Sequence, residues 1–180
     1  MNIVSVAVFC GSHLGKDPVF AEDAKQLGSL IASSKMKLIY GGGKRGLMGV
    51  VADAVLKSNG EVLGIIPEFL TEREHQHQTL TELAVVTDMH SRKKMLYEKS
   101  DIAIILPGGF GTLDELFEML TWNQLKLHEK KIFLLNSGKF YTHLIKHLQQ
   151  MQKEGFLYDE ISDRLIICDT PGEIFFKLKK

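Results

Sequence analysis

The chain has 180 residues, of which 44% are hydrophobic and 24% charged, and 22 basic side chains balance 22 acidic ones. This length suits one well-filled α/β domain, and residues 1–180 are predicted to form a single domain. Nucleic-acid-binding proteins usually carry a basic excess, so the neutral balance argues against that class. An anion would therefore have to be held locally, by loops and a few side chains.

The sequence indicates neither a secretory signal nor a membrane span. The chain enters a strand almost at once, without a basic region and a long apolar core. No apolar run approaches the roughly 20 residues that cross a bilayer. Cys10 and Cys168 end apolar runs, which is typical of buried thiols rather than of a disulfide framework. We therefore expect a cytoplasmic protein.

Short apolar runs alternate with amphipathic stretches along the chain. Strands are predicted at residues 3–9, 37–40, 61–66, 83–87, 101–106, 131–135 and 165–167. Helices are predicted at residues 18–34, 47–58, 89–99, 112–126 and 140–154, with a last one from residue 171. This alternation predicts a Rossmann-like, doubly wound, mostly parallel sheet of about seven strands with helices on both faces. The irregular polar segment 68–80 is long enough to serve a site.

Three glycine-bearing loops follow predicted strands: residues 10–12 (CGS), 41–43 (GGG) and 107–112 (PGGFGT). The carboxyl ends of parallel strands form the ligand-binding edge of such a sheet. The PGGFGT loop precedes a helix expected to open at Thr112, and this combination predicts a phosphate site. A tight turn that binds nothing is the alternative, and helix packing alone can explain the three glycines 41–43. None of the loops matches a dinucleotide or P-loop motif.

Two charged positions allow both a structural and a chemical interpretation. Glu115 completes a possible capping box with Thr112, and spacing alone favours that role. Alternatively, its carboxylate lies near a bound sugar phosphate, where it stabilises positive charge on a ribose or aligns water. By composition alone, Arg92 and Lys93 are expected to form a solvated basic face. Alternatively, the planar guanidinium of Arg92 binds a phosphate or sugar oxygen.

The run PGGFGTLDE closely resembles the PGGxGTxxE signature of the LONELY GUY (LOG) family, whose members are cytokinin riboside 5′-monophosphate phosphoribohydrolases. The upstream DMHSRKKM is similar to the family's partner motif MHxRKxxM. The resemblance extends through VAVFCGSHLG and YGGGKRGLMGVVADA and covers about residues 6–125. Two positions depart from relatives: many have Ser or another small residue in place of His13, and several have Tyr in place of Phe110.

The resemblance implies roles for particular residues. Arg92 and Glu115 match the family's catalytic pair, and Lys93 and Glu74 match substrate-contacting positions. The predicted nucleotide contacts in the loops and motifs are Ser12, Gly42, Gly43, Met89, Gly108, Gly109, Phe110, Gly111 and Thr112. The family also implies a homodimer with sites near the subunit contact.

Two other chemistries are disfavoured. Relatives have often been labelled lysine decarboxylases, but pyridoxal phosphate chemistry needs a Schiff-base lysine and an acidic partner for the ring nitrogen. Lys44 and Lys93 lie beside glycine loops or arginines, where a phosphate contact explains them better. His75 and His77, or His143 and His147, lack further ligands nearby in sequence, so we expect no metal and no cofactor.

We therefore expect a hydrolase that cleaves the N-glycosidic bond of adenosine 5′-monophosphates, with or without an N6 substituent. The products are a free base and ribose 5-phosphate. A non-catalytic nucleotide or cofactor carrier, such as the molybdenum-cofactor carriers of similar fold, is one alternative. A nucleotide-sensing protein is the other.

Overall fold

The computed structural model describes residues 3–71 and 76–179. Its seven strands all pair in parallel, which confirms the predicted α/β class. The strands are β1 (Ser5–Phe9), β2 (Lys37–Tyr40), β3 (Val62–Pro67), β4 (Glu82–Val86), β5 (Ile102–Ile105), β6 (Ile132–Leu135) and β7 (Leu165–Cys168).

Six α-helices connect and follow the strands in the described ranges. They are α1 (Val19–Ser33), α2 (Gly46–Lys57), α3 (Met89–Glu98), α4 (Phe110–Gln124), α5 (Thr142–Lys153) and α6 (Pro171–Leu178). Short 3-10 turns occur at Glu68–Leu70, Ser137–Lys139 and Ile161–Asp163. Among the helices described, none combines the length and apolar character that crossing a bilayer requires.

The sheet is buried on both faces, which explains the near-continuous apolar runs of its strands. Val6 and Val8 of β1 belong to the core layer formed with α1, α2 and α6. Their neighbours Ala7 and Phe9 belong to the opposite layer, formed with α3, α4 and α5. Successive side chains of a strand point to opposite faces, so one short strand supplies both layers.

The strand order β4-β3-β2-β1-β5-β6-β7 creates the position where a ligand can bind. The chain builds outward from β1 to β4, then crosses back to place β5 on the other side of β1. The loops after β1 and β5 therefore lie side by side at the carboxyl edge, where the N–H of Gly11 donates to the carbonyl of Pro107 over 3.0 Å. Open α/β sheets bind ligands in the crevice at such a reversal.

Candidate active site

A cleft of about 280 Å³ opens at this reversal of strand order. Its walls come from the ends of β1 and β2, from the start of α3 and from the first turns of α4. Eight of the sequence-predicted site residues line it: Ser12, Met89, Arg92, Gly109, Phe110, Gly111, Thr112 and Glu115. The fold thus brings Arg92 and Glu115, which are far apart in sequence, to one cavity.

Helix α4 begins at Phe110, two residues before the predicted start at Thr112. Gly109 is the N-cap in an extended conformation (φ −97°, ψ −152°), and its carbonyl accepts from the N–H of Leu113 over 3.1 Å. Thr112 lies inside the first turn, so the capping box between Thr112 and Glu115 was a wrong interpretation. Glu115 is consequently not required to cap its own helix.

The start of α4 leaves space for a ligand beside its backbone. The first N–H groups of a helix have no intrahelical partners, and they lie at the positive end of its dipole. Gly109 has no side chain with which to cap them. In the described chain, a Cβ built on Gly109 or on Gly111 meets nothing within 4 Å. An anion can therefore approach these amides closely.

Gly108 has a different role from its two neighbours in the loop. A Cβ at Gly108 would come within 2.1 Å of Thr112 Oγ1 and 2.9 Å of the Gly11 nitrogen. The buried Thr112 side chain and the β1 loop occupy that space, so Gly108 permits close packing beneath the PGGFGT loop. Gly108 lies outside the wall of the main cleft and lines a neighbouring hollow of about 290 Å³ together with His13, Phe20 and Phe140.

Arg92 is held in the cleft by α3. Asp88 caps this helix, because its carboxylate accepts a hydrogen bond from the Ser91 N–H over 2.8 Å. This bond, together with those from the Ser91 and Thr87 hydroxyls, lowers the pKa of Asp88 to about 2. Arg92 follows one turn later and is only 5% exposed. Its Nη2 donates to the carbonyl of Gly41 over 3.0 Å. The guanidinium is thus fixed by a backbone group of the loop after β2.

Gly41 was not among the predicted contacts, although Gly42 and Gly43 were. A Cβ at Gly41 would lie 2.1 Å from Arg92 Nη2, so only glycine leaves room for the guanidinium. Gly42 needs its left-handed backbone (φ +79°), and its carbonyl accepts from the His77 N–H over 3.0 Å. Gly42 and Gly43 lie outside the cleft wall and connect the loop to residues 76 and 77.

Glu115 is half-buried in the wall of the cleft, four residues beyond Gly111 on α4. Cys10 lies in the same wall and is 8% exposed. Burial raises the pKa of the Cys10 thiol, and the negative charge of Glu115 raises it further. The thiol therefore stays protonated and contributes no negative charge beside the Glu115 carboxylate. Cys10 is thus buried, as its place at the end of an apolar run predicts.

The remaining predicted contacts lie at the rim or beyond it. Phe110 is 93% exposed and Met89 is 38% exposed, and both line the mouth of the cleft. Lys93 lies outside the wall and forms ion pairs with Asp114 over 3.2 Å and with Glu118 over 3.1 Å. The prediction for Glu74 falls outside the described residues.

The described histidines do not gather with other ligands. His77 is 2% exposed, and its Nε2 lies 3.2 Å from Asp53 Oδ1, so this pair holds the segment after residue 75 against α2. Across residues 3–71 and 76–179, no group of three histidine, cysteine or acidic side chains is arranged to hold a metal ion.

Comparisons with known proteins show which family this chain is similar to. A family model described as "Possible lysine decarboxylase" matches residues 48–178. A cytokinin riboside 5′-monophosphate phosphoribohydrolase of Rhodococcoides fascians is 45% identical over 172 residues, which is 94% of this chain and 87% of that protein. One from Arabidopsis thaliana is 40% identical over 175 residues, covering 97% of this chain and 81% of the relative.

Solved structures share the fold at lower sequence identity. The molybdenum cofactor binding protein of Rippkaea orientalis aligns with a TM-score of 0.74 and 24% identity, covering 99% of this chain and 97% of that one. At this identity the likeness establishes the fold alone. The extent and identity of the curated matches establish more: the chain belongs to the family of the cytokinin riboside 5′-monophosphate phosphoribohydrolases.

Proposed function

We propose that this protein hydrolyses the N-glycosidic bond of adenosine 5′-monophosphates, including those with an N6 substituent. Water attacks C1′ of the ribose while the C1′–N9 bond breaks, and the base leaves with the bonding electrons and gains a proton. The products are ribose 5-phosphate and the free base. The observation that carries the proposal is the convergence of the α4 N-terminus, Arg92 and Glu115 on one cleft.

The 5′-phosphate is proposed to bind at the PGGFGT loop. The open space beside Gly109 and Gly111 lets phosphate oxygens reach the first backbone amides of α4. Ser12, which lines the same cleft from the loop after β1, offers a hydroxyl to the same anion. Gly42, Gly43 and Gly108 support this site through the backbone rather than from the cleft wall.

Glu115 is proposed to act on the ribose. Cleavage of an N-glycosidic bond develops positive charge on the sugar ring, and a nearby carboxylate stabilises that charge. Half-burial strengthens the interaction because less water screens it. The same carboxylate can accept a hydrogen bond from the attacking water and so align it.

Arg92 is proposed to orient the sugar phosphate. Its donation to the Gly41 carbonyl fixes the plane of the guanidinium, so less rotamer freedom is lost when substrate binds. Lys93 and Glu74 are proposed as further substrate contacts, and Phe110 and Met89 as apolar contacts at the mouth. Lys93 reaches substrate only by leaving its partners Asp114 and Glu118.

The surroundings of Lys93 give little support to lysine decarboxylation. Partial burial lowers the pKa of Lys93, but hydrogen bonds and charges from Glu118 and Asp114 outweigh it and raise that pKa overall. Schiff-base formation requires the neutral amine. The two carboxylates keep Lys93 protonated and therefore disfavour Schiff-base formation. A non-catalytic carrier or nucleotide sensor would use the same cleft, but neither requires the Arg92 and Glu115 pair.

We also propose a cytoplasmic homodimer formed by this single domain. Leu125 and Leu127 after the end of α4 are 59% and 64% exposed, and a second copy of the chain can cover them. The two cysteines are free and buried, as is common in reducing compartments. Analytical ultracentrifugation of the wild type and of Leu127→Asp tests the dimer.

The enzymatic proposal is tested by product chromatography. Wild-type protein is incubated with AMP, isopentenyladenosine 5′-monophosphate, GMP and CMP, and free base is quantified over time. We expect base from the adenine nucleotides together with an equal amount of ribose 5-phosphate. If AMP binds tightly while no nucleotide releases base over long incubation, the protein is a carrier or a sensor.

A further inference from the structure

The PGGFGT loop is fixed to the rest of the protein at two points on opposite sides. On the β1 side, the Leu106 N–H donates to the Phe9 carbonyl over 2.9 Å, and the Gly11 N–H donates to the Pro107 carbonyl over 3.0 Å. On the β6 side, strand pairing ends at Ile105 and Leu134. The peptide that enters the loop therefore needs another partner on that side.

Tyr141 supplies this partner. Its hydroxyl donates to the carbonyl of Leu106 over 2.7 Å, and both residues are almost completely buried, at 2% and 0% exposure. A buried carbonyl without a donor is costly, so this bond fixes the peptide plane between Leu106 and Pro107. That peptide immediately precedes Gly108 and Gly109.

Tyr141 is itself held firmly before α5. Its N–H donates to Asn136 Oδ1 over 2.8 Å, and the Asn136 N–H donates to the Cys168 carbonyl at the end of β7 over 2.8 Å. The ring packs edge-on against Phe140 at 4.8 Å between centroids. Burial raises the pKa of Tyr141, so its hydroxyl keeps the proton that it donates.

We infer that Tyr141 is a positioning residue for phosphate binding, which acts by orienting the peptide that leads into the PGGFGT loop. This inference rests on the proposed function, because it assumes that the 5′-phosphate is bound by that loop. Tyr141 lies outside the cleft wall, so it acts through the backbone. The expected signature is a loss of affinity confined to ligands that carry the phosphate.

The test compares Tyr141→Phe with wild type, using ribose 5-phosphate and adenosine as separate probes. Isothermal titration calorimetry gives the Kd of each, and AMP hydrolysis gives kcat and KM. We expect the Kd for ribose 5-phosphate and the KM for AMP to rise about tenfold, the effect of one buried hydrogen bond. The Kd for adenosine should change less than about twofold, since adenosine lacks the group that the loop binds.

Tyr97→Phe is the matched control. The Tyr97 hydroxyl also donates to a backbone carbonyl, that of Leu127 over 3.3 Å, and neither residue lines the cleft. This variant should leave both Kd values unchanged. Asn136→Ala removes the side-chain oxygen that accepts from the Tyr141 N–H, and it should also weaken binding of ribose 5-phosphate but not of adenosine. This second variant tests the inference if Tyr141→Phe folds poorly.

Equal weakening of ribose 5-phosphate and adenosine in Tyr141→Phe would mean a general structural role and would overturn the inference. An unchanged Kd for ribose 5-phosphate in a folded variant would overturn it as well. Failure of the proposed function is recognised separately, because wild-type protein would then release no adenine from AMP. The phosphate-selective change in Kd can still be measured in that case.

Discussion

The two edges of the sheet both bury polar side chains, but these side chains meet different partners. At the amino edge, before β5, β6 and β7, a hollow of about 440 Å³ is lined by Asn123, His128, Lys130 and Arg164. It is larger than the cleft of about 280 Å³ at the carboxyl edge. The size of a cavity therefore does not identify the site in this fold.

The difference lies in how the polar groups are used. At the amino edge, Lys130 Nζ donates to the carbonyls of Tyr97 and Ser100, and it lies 4.0 Å from the centroid of the Tyr97 ring. Arg164 donates to the backbone and side chain of Asn123. At the carboxyl edge, a Cβ on Gly109 or Gly111 at the start of α4 would meet nothing within 4 Å, and Glu115 forms part of the cleft wall. Polar groups of the first region stabilise the fold, whereas those of the second can receive a ligand.

The largest effect is expected from Glu115→Gln. This change removes the negative charge while preserving shape, so AMP hydrolysis should fall by roughly 100-fold or more. The melting temperature should stay close to that of wild type, because Glu115 does not cap α4. Product chromatography and thermal unfolding measure the two quantities, with Glu22→Gln on the exposed face of α1 as control. Near-normal turnover would remove Glu115 from the mechanism.

Gly41→Ala should give the next largest effect. The added Cβ would stand 2.1 Å from Arg92 Nη2, so the guanidinium must move. If Arg92 has the proposed catalytic role, its displacement should lower kcat/KM for AMP by at least about tenfold. Gly172→Ala is the control, since its Cβ would meet only Thr170 Oγ1, at 4.0 Å. If Gly41→Ala retains full activity, the contact with Arg92 is not needed.

Lys130→Met tests the amino edge and should affect stability alone. The carbonyls of Tyr97, in the last turn of α3, and of Ser100, between α3 and β5, each lose the Lys130 donor, which should reduce the free energy of unfolding by about 1–3 kcal/mol. Urea denaturation measures this change, and the exposed neighbour Lys131→Met is the control. The KM for AMP should be that of wild type. A raised KM would show that the two edges are coupled.

The smallest effect is a pH dependence that His128 contributes to stability. Burial, aided by the charge of Lys130, lowers the pKa of His128 from its ordinary value of 6.5. As pH falls below about 6.5, the unfolded chain binds a proton that the folded protein resists, so stability is lost. The decline in the free energy of unfolding between pH 7.5 and pH 5.5 should be shallower in His128→Gln. Parallel curves for the two proteins would contradict this assignment.

Much of the fold could be predicted because its signals are local. Buried parallel strands such as Lys37–Tyr40 are apolar over their whole length, and the glycines after them mark the carboxyl edge. The start of α4 could not be predicted in the same way. Thr112 and Glu115 have the spacing of a capping box, but Gly109 starts the helix through its backbone conformation, for which side-chain patterns give no signal.

Only part of the candidate site could be predicted, because only part of it is marked by local sequence motifs. Motif resemblance indicated Arg92 and Glu115, but one hydrogen-bond partner of Arg92 is a carbonyl 51 residues away. Nothing in the local sequence specifies that contact, or the hydrogen bond from Tyr141 to Leu106 across 35 residues. Such contacts arise from strand order, which sets which loops become neighbours. Buried groups that act through the backbone are therefore the ones that sequence reasoning misses.

Helix α4 carries both the amides at the cleft and Glu115, so in the proposed mechanism the length of this helix segment sets the length of substrate that the site accepts. Gly111 and Glu115 are four residues apart, so about 6 Å of rigid helix rise separates the two positions. A nucleoside diphosphate or triphosphate held by its terminal phosphate would carry its sugar beyond the carboxylate. Nucleotide pools dominated by ATP would then escape cleavage without any dedicated rejecting group.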